Sequence, residues 1–147
     1  MTRVNIISPS LLTDQHLLAE VREITRLPAN LYTSLNAKIP LKLTDIPPEY
    51  VLGTGHVKHF FNKFTFLKKR HEALVVECLA RGFELSHTTS DIFDQVPDQY
   101  KNDWTPNSKE INLNLLRLCD KINMKPMFYR YYRRTIELDH YVKLMGV

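Results

Sequence analysis

Apolar residues recur at three- and four-residue steps along three stretches of the chain. In the first, Leu17, Val21 and Ile24 share one face of a helix, while Gln15, His16, Arg22, Glu23 and Arg26 share the other. This predicts an amphipathic helix from Thr13 or Asp14, either of which can cap its first turn, to about Arg26. Pro28 ends or kinks it, because proline removes a backbone donor and crowds the preceding turn. Leu27, Leu31 and Leu35 carry the spacing on past the kink. In the second stretch, Phe60, Phe64, Leu67, Leu74, Val75, Cys78 and Leu79 predict a long helix, or two abutting ones, running to Arg81 and closed by Gly82. The third opens at Asn107 or Ser108, with Glu110 placed for a capping box. Its buried stripe is Ile111, Leu115, Leu118 and Ile122.

Between these helices the pattern breaks. Val4 to Pro9 is a short apolar segment, expected to be extended and packed so that it holds the terminus. Pro40 to Pro48 is a connector, and the Phe83 to Pro106 stretch is loop-like, with a helical turn near Ile92 to Val96 and Trp104 pinning it to the core. Gly53-Thr54-Gly55 lacks the preceding strand and third glycine of a phosphate cradle, so a tight turn is the better reading. No strand signal is strong. The expectation is one domain over residues 1–147, all-α, with three main helices and long loops.

Composition narrows the class. With 147 residues, 44% hydrophobic and 24% charged, the chain can bury one core. No apolar run approaches the roughly 18 to 20 residues of a membrane span. No leader pattern directs the chain out of the cell, so a cytoplasmic protein without membrane contact is expected. Cys78 and Cys119 lie on apolar helix sides without a C-x-x-C pair, and no disulfide is expected. His56 and His59 have no third ligand at a recognisable spacing, so no metal site is expected. The formal charge of +4 is compatible with a nucleic-acid partner and does not establish one.

The candidate chemistry lies at the start of the chain. A small second residue favours removal of Met1, which leaves the α-amine of Thr2. This group titrates near 7.7 to 8.0, against about 10.4 for lysine, and is partly neutral at pH 7. Such an amine can attack a sugar carbon and form a Schiff base. Arg3, Arg22 and Arg26 would depress its pKa further, and Glu23 would oppose them. A lone acid among arginines that suit phosphate oxygens needs its own explanation. The plain one is an i,i+3 ion pair from Glu23 to Arg26, worth a few tenths of a kcal/mol. Lys68-Lys69-Arg70-His71 reads as a solvated face. Arginines interleaved with rings from Phe128 to Arg134 suit either a distorted duplex or the docking of a C-terminal tail.

Several of these residues also carry a resemblance. Met1-Thr2-Arg3, Asp14-Gln15-His16-Leu17, Arg22-Glu23-x-x-Arg26 and Leu52-Gly53-x-Gly55-His56-Val57 resemble the pyrimidine-dimer DNA glycosylases of T-even phages, the endonuclease V family. So do Phe66-Leu67-x-Lys69-Arg70, Glu77-Cys78-Leu79-x-Arg81-Gly82-Phe83 and Tyr129-x-Tyr131-Tyr132. The likeness spans residues 1–135, leaving 136–147 as a C-terminal extension. It implies a compact helical enzyme, its N-terminal segment packed between helices, that uses no metal or organic cofactor. The implied substrate is double-stranded DNA containing pyrimidine dimers or abasic sites, met by a monomer with no obligatory protein partner. Thr2 would attack C1′ of the 5′ nucleotide of the dimer and form an imine. Glu23 would stabilise developing positive charge and handle proton transfers, including the β-elimination that cuts the strand. Arg3, Arg22 and Arg26 would hold phosphates of a kinked duplex, with Gln15 and His16 nearby and Lys121 and Tyr129 close to the damaged strand. In this family an adenine opposite the lesion is flipped out. Ile6 to Leu12 and Thr33 to Ile46 depart from the pattern, Phe128 stands where tryptophan is expected, and residues from Glu137 onward overrun the phage protein's end. Two other functions fit the same basic face: a non-catalytic module that binds or bends damaged DNA, and a related glycosylase preferring another damaged base.

Overall fold

The computed structural model describes residues 3–146, so Met1 and Thr2 lie outside the described residues. Helix α1 (Asp14–Glu23) starts where Thr13 Oγ1 accepts the His16 amide. It passes through one 3-10 turn, Ile24–Arg26, into α2 (Leu27–Leu35). Pro28 explains the turn. It has no N–H to offer the Ile24 carbonyl, and the Leu27 amide takes that carbonyl instead, tightening the helix without ending it. Leu17, Val21, Ile24, Leu27 and Leu31 are all buried along this rod.

The second stretch divides into α3 (His56–His59), a 3-10 turn at Phe60–Asn62, and α4 (Phe64–Ala80). Gly82 adopts φ +83°. Its neighbour Phe83 donates back to the Cys78 carbonyl, which is the helix stop expected there. Helix α5 (Ser108–Met124) begins with the predicted capping box, Asn107 and Glu110 each accepting the other's amide. Leu115, Leu118 and Ile122 are buried and Ile111 packs against the core, as the spacing predicts. Trp104 meets Phe60 and Phe66 edge-on and fastens the long loop.

Three expectations need correction. Arg70 and His71 are buried, so only Lys68 and Lys69 form the solvated side of that run. Leu79 is 52% exposed and sits outside the stripe. The chain also makes a small hairpin, β1 (Arg130–Tyr131) pairing antiparallel with β2 (Arg134–Thr135), before α6 (Leu138–Met145). Helix α6 packs on α5 through buried Tyr141, whose hydroxyl donates to the Leu11 carbonyl. The architecture is all-α apart from that hairpin. No helix among the described residues is long and apolar enough to cross a membrane.

Residues 4–7 run as a single strand of chain, neither helix nor sheet, through the core. Val4, Ile6 and Ile7 are buried, each worth roughly 1.5 to 3 kcal/mol of transfer free energy when fully enclosed. Their peptide groups have no sheet to join. Side chains of His56, Tyr50, Asn114 and Arg70 meet four of them instead, and this arrangement positions the site.

Candidate active site

The strand enters beside the C-terminal half of α1. Val4 N–H donates to His56 Nε2 at 2.9 Å, and the Val4 carbonyl accepts from the Tyr50 hydroxyl at 3.1 Å. Ile6 N–H donates to Asn114 Oδ1 at 2.7 Å, and the Arg70 guanidinium reaches the Ile7 carbonyl. Asn5 donates to Glu20 Oε1, which together with Oε2 receives Arg70 in a two-point ion pair of 3.0 and 2.8 Å. Asn114 donates back to Asn5 Oδ1. Glu20, Arg70 and Asn114 are all buried, so each charge and amide is desolvated and compensated at once.

The histidines serve this scaffold. Nδ1 of His56 donates to the Val51 carbonyl at 2.7 Å, which leaves Nε2 as the acceptor for Val4. Burial lowers its pKa from 6.5 to about 4; the Val51 hydrogen bond opposes this, and the charges of Arg3 and Arg117 push the same way. His59 uses its Nδ1 on the Pro47 carbonyl. Both rings are thus committed to main-chain groups. Burial raises the Tyr50 phenol above its ordinary range, so it stays a donor.

Five cations are candidates to meet DNA. Arg22 is exposed on α1, Arg26 on the 3-10 turn that follows it and Lys121 on α5, while Arg3 and Arg117 are partly buried and lie near one another and near His56. Among the described residues none of the five makes an ion pair, and Arg3 has a buried guanidinium nitrogen with no partner. Arg117 was not anticipated. Burial, followed by the Arg3 charge, lowers its pKa, against the pull of Tyr50, Tyr129 and Glu23. Neither guanidinium has an ion pair among the described residues, and two such forks suit an anion. The only sequence signal was an arginine next to the α5 stripe.

Glu23, half-buried at the end of α1, takes no ion pair and no hydrogen bond among the described residues, so the expected pair with Arg26 does not form. An acid that ignores arginines at i−1 and i+3 while acting on Arg117 keeps its oxygens available.

The other predicted contacts divide. His16 is half-buried and stacked on Tyr129 with ring centroids 4.6 Å apart. Burial, then Arg117 and Lys121, takes it from 6.5 to about 4, so it is neutral. Tyr129 is itself buried and walls the site rather than offering an open face. Gln15 is occupied by the protein: its amide donates to the Phe128 carbonyl and accepts from the Arg130 N–H. Thr2 lies outside the described residues. The ring-and-arginine segment follows the docking alternative in part, because Tyr131 and Tyr132 lie 4.9 and 4.6 Å from the buried Arg81 guanidinium. Phe128 is 51% exposed and Tyr132 46%. Beside Arg22 opens a cleft of about 350 Å³, lined by Leu18, Val21, Thr25, Leu85 and His87 among others.

Residues 1–91 match the family model described as pyrimidine dimer DNA glycosylase. The matched region contains the N-terminal strand, α1 with Arg22 and Glu23, the turn with Arg26, and the His56 turn; Arg117, Lys121 and Tyr129 lie outside it. With more than half of its length matched, the chain belongs to the pyrimidine dimer DNA glycosylase family.

Proposed function

We propose that the protein excises cyclobutane pyrimidine dimers from duplex DNA through an imine to the α-amine of Thr2, and then cleaves the abasic strand by β-elimination. The observation that carries this reading is Glu23, a carboxylate with no ion pair among the described residues although Arg22 and Arg26 flank it in the chain and it acts on Arg117. A surface built only to grip a polyanion gains nothing from such an acid.

The neutral amine attacks C1′ of the 5′ nucleotide of the dimer, and the N-glycosidic bond breaks with its electrons leaving on the base. Ring opening gives a protonated imine, whose charge the Glu23 carboxylate stabilises. Glu23 then takes a proton from C2′. The electrons shift to break the C3′–O bond, the 3′ phosphate departs, and hydrolysis of the imine frees the amine. Arg3 and Arg117 receive the phosphate nearest the reacting sugar, while Arg22, Arg26 and Lys121 hold those farther along the kinked duplex. The cleft beside Arg22 is large enough to receive a flipped base.

Glu23→Gln tests the assignment. The variant is expected to bind dimer-containing duplex within about twofold of the parent and to lose strand cleavage by 100-fold or more, on the order of what removing one stabilising group costs. Retained cleavage would remove Glu23 from the mechanism.

A further inference from the structure

We propose that His56 is a positioning residue for this chemistry: together with the Tyr50 hydroxyl, its imidazole fixes the register in which the first residues of the chain are offered to the damaged sugar. The inference rests on the function proposed above and explains a motif that function leaves unused, the Gly53-x-Gly55-His56 turn.

Val4, two residues after the proposed nucleophile, is gripped at both of its main-chain groups by side chains distant in sequence. The ring of His56, 52 residues away, takes its N–H, and the hydroxyl of Tyr50, 46 residues away, takes up its carbonyl. Tyr50 is anchored in turn, its amide donating to Glu110 Oε2 at 2.7 Å in the capping box of α5. The ring's tautomer is set by the Val51 carbonyl. The glycine turn sets its direction: Gly53 and Gly55 hold φ of +76° and +89°, and a Cβ on Gly55 would come within 3.3 Å of Pro47 Cγ. The groups facing His56 are Arg3, Arg117, His59 and Tyr50, so nothing anionic beside it favours a protonated ring that would present a donor to a donor.

The lower part of the strand, Asn5 to Ile7, is already secured by Glu20, Arg70 and Asn114. The His56 and Tyr50 grip adds control at the end where the reacting group begins. Core packing alone tolerates a frayed first turn of chain. An attacking atom does not, since a displacement of about 1 Å can cost roughly 100-fold in rate.

The test uses full-length protein with Met1 removed, verified by intact mass, and two duplex probes. One carries an abasic site, for single-turnover trapping with borohydride; the other carries its tetrahydrofuran analogue, for Kd. His56→Asn keeps a donor near Val51 and loses the acceptor for Val4. It is expected to slow trapping by roughly 100-fold with Kd changed less than about twofold. His56→Gln, whose amide oxygen can reach the Val4 N–H, should restore most of the rate. Wild-type trapping by His56→Asn, an equal loss in Kd, or no recovery by His56→Gln would overturn the proposal. If His56→Asn fails to fold, Tyr50→Phe is read instead, with a loss of roughly tenfold expected for one hydrogen bond and an unchanged rate counting against the pair. A parent protein that gives no adduct at residue 2 overturns the proposed function itself; a normal parent with a normal His56→Asn rate overturns only the positioning role.

Discussion

Two segments, residues 4–7 and the hairpin of residues 130–135, close on α1, and they do so by opposite means. The N-terminal strand is buried, and four of its main-chain groups are met by His56, Tyr50, Asn114 and Arg70. The C-terminal hairpin lies on the surface. Asp14 accepts the amides of Tyr132 and Arg133, and Arg81 stacks beneath Tyr131 and Tyr132. Its turn is built from Tyr132 and Arg133 at φ of +50° and +67°, a region that costs a residue with a side chain on the order of 1 kcal/mol. The segment expected to deliver a nucleophile is therefore held without strain inside the protein. The hairpin is held at the surface, under strain, chiefly by the carboxylates of Asp14 and Glu77. Chemistry needs fixed geometry, while a bent polymer needs a surface that can adapt.

The sharpest way to break this contrast is to remove one partner from each side. Arg70→Met strands the buried Glu20 carboxylate and should cost about 3 to 5 kcal/mol in urea unfolding. Asp14→Asn keeps hydrogen-bonding capacity, and Glu77 still pairs with Arg81, so about 1 to 3 kcal/mol is expected. If the second change costs more than the first, the inner end is not the more firmly held.

Lowering the pH should weaken the buried histidine contacts, His56 on Val4, His59 on Pro47 and His16 on Tyr129. His56, His59 and His16 titrate near 4 when folded, below their ordinary 6.5, so the unfolded chain binds more protons between those values. Stability from these groups is complete above about pH 6.5 and declines as the pH falls toward about 4, by up to about 1.4 kcal/mol per pH unit for each histidine. A flat urea midpoint across that window would contradict their neutral, buried state.

The outer surface predicts smaller effects on folding and specific ones on binding. Arg22→Ala and Arg26→Ala should each shift stability by less than about 0.5 kcal/mol, since neither side chain is engaged among the described residues. Each should flatten the plot of log K against log salt by about 0.9, one phosphate contact apiece. An unchanged slope would put that side chain off the DNA.

The helices were readable because their periodicity, caps and stops are local. Pro28, Gly82 and the Asn107–Glu110 box act within a few residues of themselves. Buried ion pairs are not local: Glu20 meets Arg70 across 50 positions and Asp14 meets Arg81 across 67. Their trace was a charge inside an apolar stripe, as Glu20 lies between Leu17 and Ile24 and Arg70 between Leu67 and Leu74. Arg70 was instead absorbed into the lysine run beside it. The hairpin left no trace, because its left-handed turn contains neither glycine nor asparagine and is imposed by Asp14 and Arg81 from outside. On the site, the arginine stripe and Glu23 were legible from helix one alone. Arg117 was not, since its neighbours Arg3 and Glu23 belong to other elements.

The account turns on which nitrogen becomes bonded to the sugar. Borohydride reduction of the protein on dimer-containing duplex, followed by proteolysis and mass spectrometry of the cross-linked peptide, reads this directly. The expected adduct is on the α-amine of Thr2 in the N-terminal peptide, with Met1 absent. An adduct on any lysine, or DNA cleaved with no reducible intermediate, would contradict it.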